Sequence, residues 1–323
     1  MSIKVLTIIN PTSGKGNILE NATEIKKNLE EQDMEVDIQI TKKDYNAKAI
    51  IENYNQEKDL ILVCGGDGTL NEVVTALIEK KEEVSLSFIP FGTTNDLAKT
   101  LEIPIKDIGI TKNLLKSKAR LIDIGKFNDK YFCYIAAFGV ITDVAYTTSR
   151  EAKNKYGRLA YYQKAIKELF HKPTYKLKIK YSGKLIEDEF IYGGISNSES
   201  IAGFKWFEKG EIQLDDGKFE AIFIRKPKNI LGYFKILGSF LKKEYNDNEY
   251  ILFAQSNNFE IEFQQEINWT VDGENAGKHK EIQIQNCQKA IELAICENEE
   301  ENKKQNKKRR KEKWKNIILH QKV

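Results

Sequence analysis

Leu60-Ile61-Leu62-Val63-Cys64-Gly65-Gly66-Asp67-Gly68-Thr69-Leu70-Asn71-Glu72-Val73-Val74 is the stretch whose reading decides the fold. Its first four residues are apolar, branched and unbroken, which suits a short strand covered on both faces. Leu70, Val73, Val74 and Leu77 then recur at helical spacing, which predicts an amphipathic helix. Three glycines and one aspartate therefore sit on a strand-to-helix turn. Glycine lets a ligand approach the main chain. A helix start offers unpaired N–H groups and partial positive charge, which suit phosphate. Asp67 is the odd member, because a carboxylate repels phosphate unless it holds a metal ion or accepts a proton. Phosphate, metal and carboxylate together suggest phosphoryl transfer. Alone, Gly-Gly-Asp-Gly is also an ordinary tight turn, so its neighbours must decide.

Upstream, Lys4–Ile9 reads as a strand and Asn10-Pro11-Thr12-Ser13-Gly14-Lys15-Gly16-Asn17 as a loop. A helix around Ile25 and Leu29, an alternating strand over Val36–Thr41 and a helix over Ala47–Asn53 follow. This order predicts a parallel, open, doubly wound sheet, whose ligands sit beyond the carboxyl ends of the strands. The Asn10–Gly16 loop, Thr41 and the Gly65–Thr69 loop all follow such ends and should line one crevice. The first loop lacks P-loop spacing and on its own reads more readily as a plain connection. Downstream, Ser85–Pro90 is a fourth strand running into Phe91-Gly92-Thr93-Thr94-Asn95-Asp96, where Thr94 or Asn95 can cap the next helix. Three such loops in one half-chain favour the phosphate reading.

The chain has 323 residues, enough for about two domains. With 41% hydrophobic and 31% charged residues it reads as a soluble globular protein. No apolar run approaches the roughly 18 residues of a membrane span, and the N-terminus reads as a first strand rather than a signal peptide. Cys64, Cys133, Cys287 and Cys296 are scattered and read as reduced thiols, and His171, His279 and His320 form no ligand cluster. The expected compartment is the cytoplasm. Residues 297–323 hold ten Lys/Arg and five Asp/Glu, a net of +5, so the +3 total leaves −2 for residues 1–296.

From Leu121 the pattern changes to strands rich in aromatic and branched residues: Tyr131–Phe138, Thr174–Tyr181, Leu185–Ile195, Phe219–Arg225, Phe259–Phe263 and Ile267–Val271. Helix is expected only over Gly157–Phe170 and about Asn229–Leu241. This predicts a second, mainly antiparallel β domain. Near its end, Trp269-Thr270-Val271-Asp272-Gly273-Glu274 brings a strand to two carboxylates around a glycine, which also reads as a hairpin turn. Ile282–Glu297 is a last alternating stretch returning to either domain.

Gly65–Glu72 followed by Pro90-Phe91-Gly92-Thr93-Thr94-Asn95-Asp96 resembles the catalytic domain of diacylglycerol kinases. The resemblance is greatest to the soluble bacterial lipid kinases related to sphingosine and ceramide kinases. It extends over residues 1–296, taking in Phe138-Gly139-Val140, the Lys155–Tyr162 segment and Ile195–Phe204. It implies a Rossmann-like α/β nucleotide domain over 1–122, a β-sandwich lipid domain over 123–296 and a separate basic tail over 297–323. It implies ATP and Mg²⁺ as cofactors. Asn10, Pro11, Thr12, Ser13, Gly14, Thr41, Gly65, Gly66, Asp67, Gly68, Thr69, Leu70, Asn71, Gly92 and Thr93 would hold ATP. Asp67 would help position Mg²⁺-ATP or the water around it. A structural Mg²⁺ would take the Asp216 carboxylate and the carbonyls of Gln213 and Lys218, with Asp215 a further ligand; such hard cations prefer oxygen donors. Glu274 would accept the proton of the lipid hydroxyl, with Asp272 the other candidate. A homodimer is implied as well.

The expected reaction is phosphorylation of diacylglycerol to phosphatidic acid. A sphingoid base or undecaprenol is the alternative lipid, since apolar pockets discriminate poorly among chains. NAD kinases share the Gly-Gly-Asp-Gly loop and the two-domain plan, but Pro90–Asp96 and Asp272-Gly273-Glu274 match lipid kinases better. A non-catalytic sensor is disfavoured by intact acidic residues at both centres. Lys303–Lys315 carries nine basic residues and one acidic, with Trp314 and Ile317-Ile318-Leu319 beside it. That composition suits an anionic membrane surface and, equally, a solvated tail; nucleic acid is not the expected partner. Peripheral membrane association is the expectation.

Overall fold

The computed structural model describes residues 2–14, 18–139, 173–201, 204–205, 207 and 212–295. The expected helix over 157–170 and the basic tail lie outside these residues. The N-terminal half alternates β1 (Ile3–Ile9), α1 (Ala22–Glu30), β2 (Met34–Ile40), α2 (Ala47–Asn53), β3 (Leu60–Gly65), α3 (Asp67–Lys80), β4 (Ser85–Pro90) and the short α4 (Asp96–Thr100). The strands pair in parallel in the order β2-β1-β3-β4. Alternation along β1 explains why helices cover both faces. Val5 and Ile9 bury against Ile25 and Leu29 of α1. Leu6 and Ile8 bury against Ile50 and Ile51 of α2 and Val73 and Leu77 of α3.

The second half is mostly strand. It comprises β5 (Lys118–Phe127), β6 (Lys130–Phe132), β7 (Ile135–Gly139), β8 (Tyr175–Tyr181), β9 (Lys184–Ser196) and the ribbon β10 (Ser200–Ile201) with β11 (Phe204–Lys205). Then come β12 (Phe219–Arg225), helix α5 (Ile230–Lys242), β13 (Ile251–Ser256), β14 (Asn258–Val271) and β15 (Glu274–Ile295). The two stretches expected at 259–263 and 267–271 form the single strand β14, with a register shift between Glu262 and Ile267. A bulge bends a strand, and here β14 pairs with β8 before the shift and with β7 after it. β9 likewise pairs with β8 at its start and β7 at its end. These four strands close a circuit around an aromatic core. Trp269 lies at its centre, 5.2 Å from Phe127 and 5.0 Å from Phe138 between ring centroids.

The two halves share hydrogen bonds. β15 runs antiparallel to β14 and β5, and its Leu293 lies beside Leu86 of β4 in parallel register. The Ser85 hydroxyl donates to Glu292 on the same edge. Residues 122 and 123 fall inside β5 rather than in a linker. No helix among the described residues is long and apolar enough to cross a membrane.

Trp269 is fully buried. Removing such a ring leaves a cavity its neighbours cannot collapse into, so Trp269→Ala should cost about 3–5 kcal/mol. Urea unfolding followed by circular dichroism checks this, and a loss below about 1 kcal/mol would contradict the packing described.

Candidate active site

Three loops at the carboxyl ends of β1, β3 and β4 are stapled into one floor. Ser13 Oγ accepts from the Gly66 N–H at 3.1 Å, and Asn10 Nδ2 donates to Thr69 Oγ1 at 2.8 Å. The Asn10 carboxamide oxygen in turn takes both the N–H and the hydroxyl of Thr12. The Phe91 N–H donates to the Gly65 carbonyl, which registers the third loop on the second. Gly66 and Gly92 meet back to back: a Cβ on Gly92 would lie 2.8 Å from Gly66 Cα. Gly14, at φ +69°, would drive a Cβ to 2.1 Å from the Phe91 carbonyl oxygen. Only glycine permits that approach. Thr41 joins the same rim through its N–H to the Ile9 carbonyl.

Pro11 and Gly92 are half-buried, and Thr12 and Thr93 are exposed on this rim. Gly65 is shut in by Thr69. Leu70 is different: its side chain is in the core and its N–H is taken by the Gly66 carbonyl. Asn95 was a cap candidate, yet it sits at φ +49° and bonds Gly92 O through Nδ2 without a side-chain cap on α4. Its side chain shapes the glycine loop instead.

Asp67 opens α3. Its carboxyl is pushed up to about 7, first by burial and then by the nearby charges of Asp96 and Asp272. The Asn95 N–H and the Lys99 ammonium act in the opposite sense. Asp67 Oδ1 is buried with no hydrogen-bond partner. An orphaned carboxylate oxygen in an acidic cluster suits a cation or a proton.

The turn between β14 and β15 supplies the remaining carboxylates. Asp272 adopts φ +47° and Gly273 φ +84°, which reverses the chain. The Asp272 carboxylate accepts from Cys133 N (2.6 Å), Tyr134 N (3.0 Å), Ile135 N (3.0 Å) and Asn71 Nδ2 (2.8 Å). Burial pushes it up to about 6, and those donors hold it down against that push. With both oxygens engaged, Asp272 is an anchor between β14, the segment before β7 and α3. Glu274 is exposed, and its Oε1 would be 3.0 Å from a Cβ on Gly68. It therefore rests against the first turn of α3, where the helix dipole favours an anion.

Glu274 lines a cleft of about 420 Å³ with Gly68, Asn71, Glu72, Thr75, Lys130 and Asp272. Glu72 is raised by burial, opposed by the Ala47 N–H it accepts and by the Asn46 side chain. It caps α2 from α3, which sets the cleft wall.

Gln213, Asp216 and Lys218 share one surface loop, remote in sequence from these carboxylates. Asp216 Oδ1 accepts the Lys218 N–H at 2.9 Å, closing a turn. Among the described residues no group of three or more His, Cys, Asp or Glu side chains could hold a metal ion; the set expected at 213–218 joins the Asp216 carboxylate to two carbonyls, with Asp215 beside it. The loop is held by fully buried Asp123, which accepts from Gly217 N, Lys289 N and Asn286 Nδ2. Sequence reading missed Asp123, which looks like any strand residue in Leu121–Lys126. It missed the backbone cradle at Cys133–Ile135, which carries no side-chain signal. Asp96, quoted only as part of a motif, is 1% exposed and faces Asp67 electrostatically.

The diacylglycerol kinase catalytic domain matches residues 4–127. A diacylglycerol kinase of Bacillus subtilis (strain 168) is 31% identical over 272 residues, covering 84% of this chain and 89% of that one. One of Staphylococcus aureus (strain bovine RF122 / ET3-1) is 32% identical over 277 residues, covering 84% and 86%. The crystal structure of a putative diacylglycerol kinase from Bacillus anthracis str. Sterne superposes with a TM-score of 0.76 at 27% identity, over 91% of this chain and 95% of that one. Likeness at that level across most of each chain means that this chain belongs to the diacylglycerol kinase family and is a phosphotransferase.

Proposed function

We propose that the chain transfers the γ-phosphate of ATP to the hydroxyl of a membrane lipid, diacylglycerol first, forming phosphatidic acid. The observation carrying this reading is the stapled three-loop floor with Glu274 resting on the first turn of α3. A Rossmann-like half over 1–122 would bind nucleotide, and a β-sandwich half over 123–296 would bind lipid. The rim residues Asn10–Gly14, Thr41, Gly65–Gly68, Asn71, Gly92 and Thr93 would contact ATP; Leu70 contributes core packing. Asp67, with its orphaned Oδ1, would hold Mg²⁺ directly or through water. Bound there, Mg²⁺ supplies positive charge against the phosphates. The 213–218 loop is the site we propose for a structural Mg²⁺, through Asp216 and the carbonyls of Gln213 and Lys218. We assign the proton acceptor to Glu274, because the Asp272 oxygens are committed to four donors. We also propose a homodimer, a cytoplasmic and peripherally membrane-bound enzyme, and a membrane contact through the basic tail.

Transfer of labelled γ-phosphate in mixed micelles with Mg²⁺ tests the reaction, with diacylglycerol, a sphingoid base, undecaprenol and NAD offered in parallel. Label should appear in phosphatidic acid; label on NAD alone would overturn the lipid assignment. Glu274→Gln should lower kcat by about 10²–10⁴ while leaving the fold intact. Asp272→Ala should instead lose about 3 kcal/mol or more of stability, because it orphans buried donors. The reverse pattern would exchange the two roles.

Asp67 gives a pH signature without nucleotide or metal. The unfolded carboxyl titrates near pH ~4, whereas the folded one titrates at about 7. The folded chain therefore holds the extra proton between those values, and stability falls as pH rises through that window. Asp67→Asn should melt higher than wild type at pH 8, with the gap closing towards pH 4. Equal melting of both proteins at pH 8 would remove the burial argument. For the tail, truncation after residue 297 should reduce sedimentation with anionic liposomes, and unchanged binding would sink that contact.

A further inference from the structure

Helix α5 is apolar on both sides. Its inner face buries Tyr233 and Ile236. It caps the cluster containing Phe207, Ile222, Ile224, Tyr245 and Ile251. Its outer face leaves Leu231 64%, Phe234 57% and Leu241 64% exposed. These positions, with Gly238 open between them, recur at helical spacing and form one stripe. A helix that is apolar all round is normally covered all round. The charges beside the stripe say what covers it. Residues 225–243 hold Arg225, Lys226, Lys228, Lys235, Lys242 and Lys243 and no acidic residue; Asp188 pairs with Arg225 and Glu249 with Lys235, so the surface keeps a net positive charge.

We propose that α5 is a membrane-docking helix, whose outer face inserts Leu231, Phe234 and Leu241 into an anionic bilayer while the flanking lysines contact lipid phosphates. Apolar and cationic groups interleaved on one helix lying in the interface plane are the chemistry of such contacts. The same cations disfavour a second copy of the chain. A two-fold contact would bring the same patch onto itself and set Lys226, Lys228, Lys242 and Lys243 against their own copies. The helix is firmly mounted. Asn229 caps its start by accepting the Gly232 N–H. At its end Lys243 donates to Phe207 O, while Phe207 N bonds Glu199 O. The neighbouring Ser198 hydroxyl lies 2.6 Å from that of Thr100 in α4. The docking face is thus tied through a short chain of contacts to the helix that begins with Asp96. This surface is separate from the reaction cleft and does not require the kinase assignment.

The test uses the full chain carrying Leu231→Ser, Phe234→Ser and Leu241→Ser together, alongside wild type. Vesicles of phosphatidylglycerol and phosphatidylcholine are sedimented with each protein, and thermal melting is recorded for both. The exposed substitutions should leave melting unchanged and weaken vesicle binding by about tenfold or more. Lys235→Glu with Lys242→Glu should weaken it on anionic vesicles in the same direction, with raised salt producing a similar loss in wild type. Undiminished vesicle binding by the triple variant overturns the proposal. So does a change from dimer to monomer in sedimentation velocity with vesicle binding preserved, since the stripe would then cover a second copy. Either reading is taken from binding alone, so an inactive protein would still give a result.

Discussion

The Asp272 carboxylate is the joint on which the rest of the arrangement turns. Its four donors come from three consecutive backbone N–H groups and from Asn71 on α3. One side chain therefore fixes the β14–β15 turn to the sheet in front of it and to α3. Glu274 owes its position to that joint, being two residues further along a turn that Asp272 and Gly273 force with positive φ. A carboxylate in this role must be buried and charged, which is costly unless the donors are numerous and aligned. Here three of the four are backbone N–H groups and the fourth is the Asn71 amide.

A second constraint is electrostatic. Asp67, Asp96 and Asp272 bring three carboxyls together, with Lys99 as the cation named near Asp67. Like charges at short range cannot all ionise cheaply. Burial and the charges of Asp96 and Asp272 raise the Asp67 carboxyl, and Lys99 opposes them.

Much of this was legible in the residues. The continuous apolar run at Leu60–Val63 and the helical spacing after Gly68 announced β3, α3 and the turn between them. The glycines of the Gly65–Gly68 turn read as room for a ligand; at Gly66, and also at Gly14 and Gly92, it is neighbouring backbone that comes close. What stayed hidden depends on long-range pairing. The Cys133–Ile135 cradle is made of main-chain groups, which every residue possesses. The different settings of Asp272, engaged by four donors, and Glu274, exposed against α3, follow from the register with β7 rather than from the Asp-Gly-Glu triplet. Asp123 acts on residues 94 and 166 positions away, beyond any local pattern. The shared edge between β15 and β4 was also invisible, because a strand's partner is not written in its own alternation.

That shared edge orders events in time. β15 is made last of the described elements, yet it pairs with β14 and β5 and reaches β4. Pairings this far apart in sequence close late, because loop entropy must be overcome first. During synthesis the β1–β4 sheet can form its stapled loop floor while its outer edge is still open. Glu274 is the first residue of β15. The carboxylate and the strand that seals the edge therefore emerge together, and a ribosome-bound fragment lacking β15 has neither.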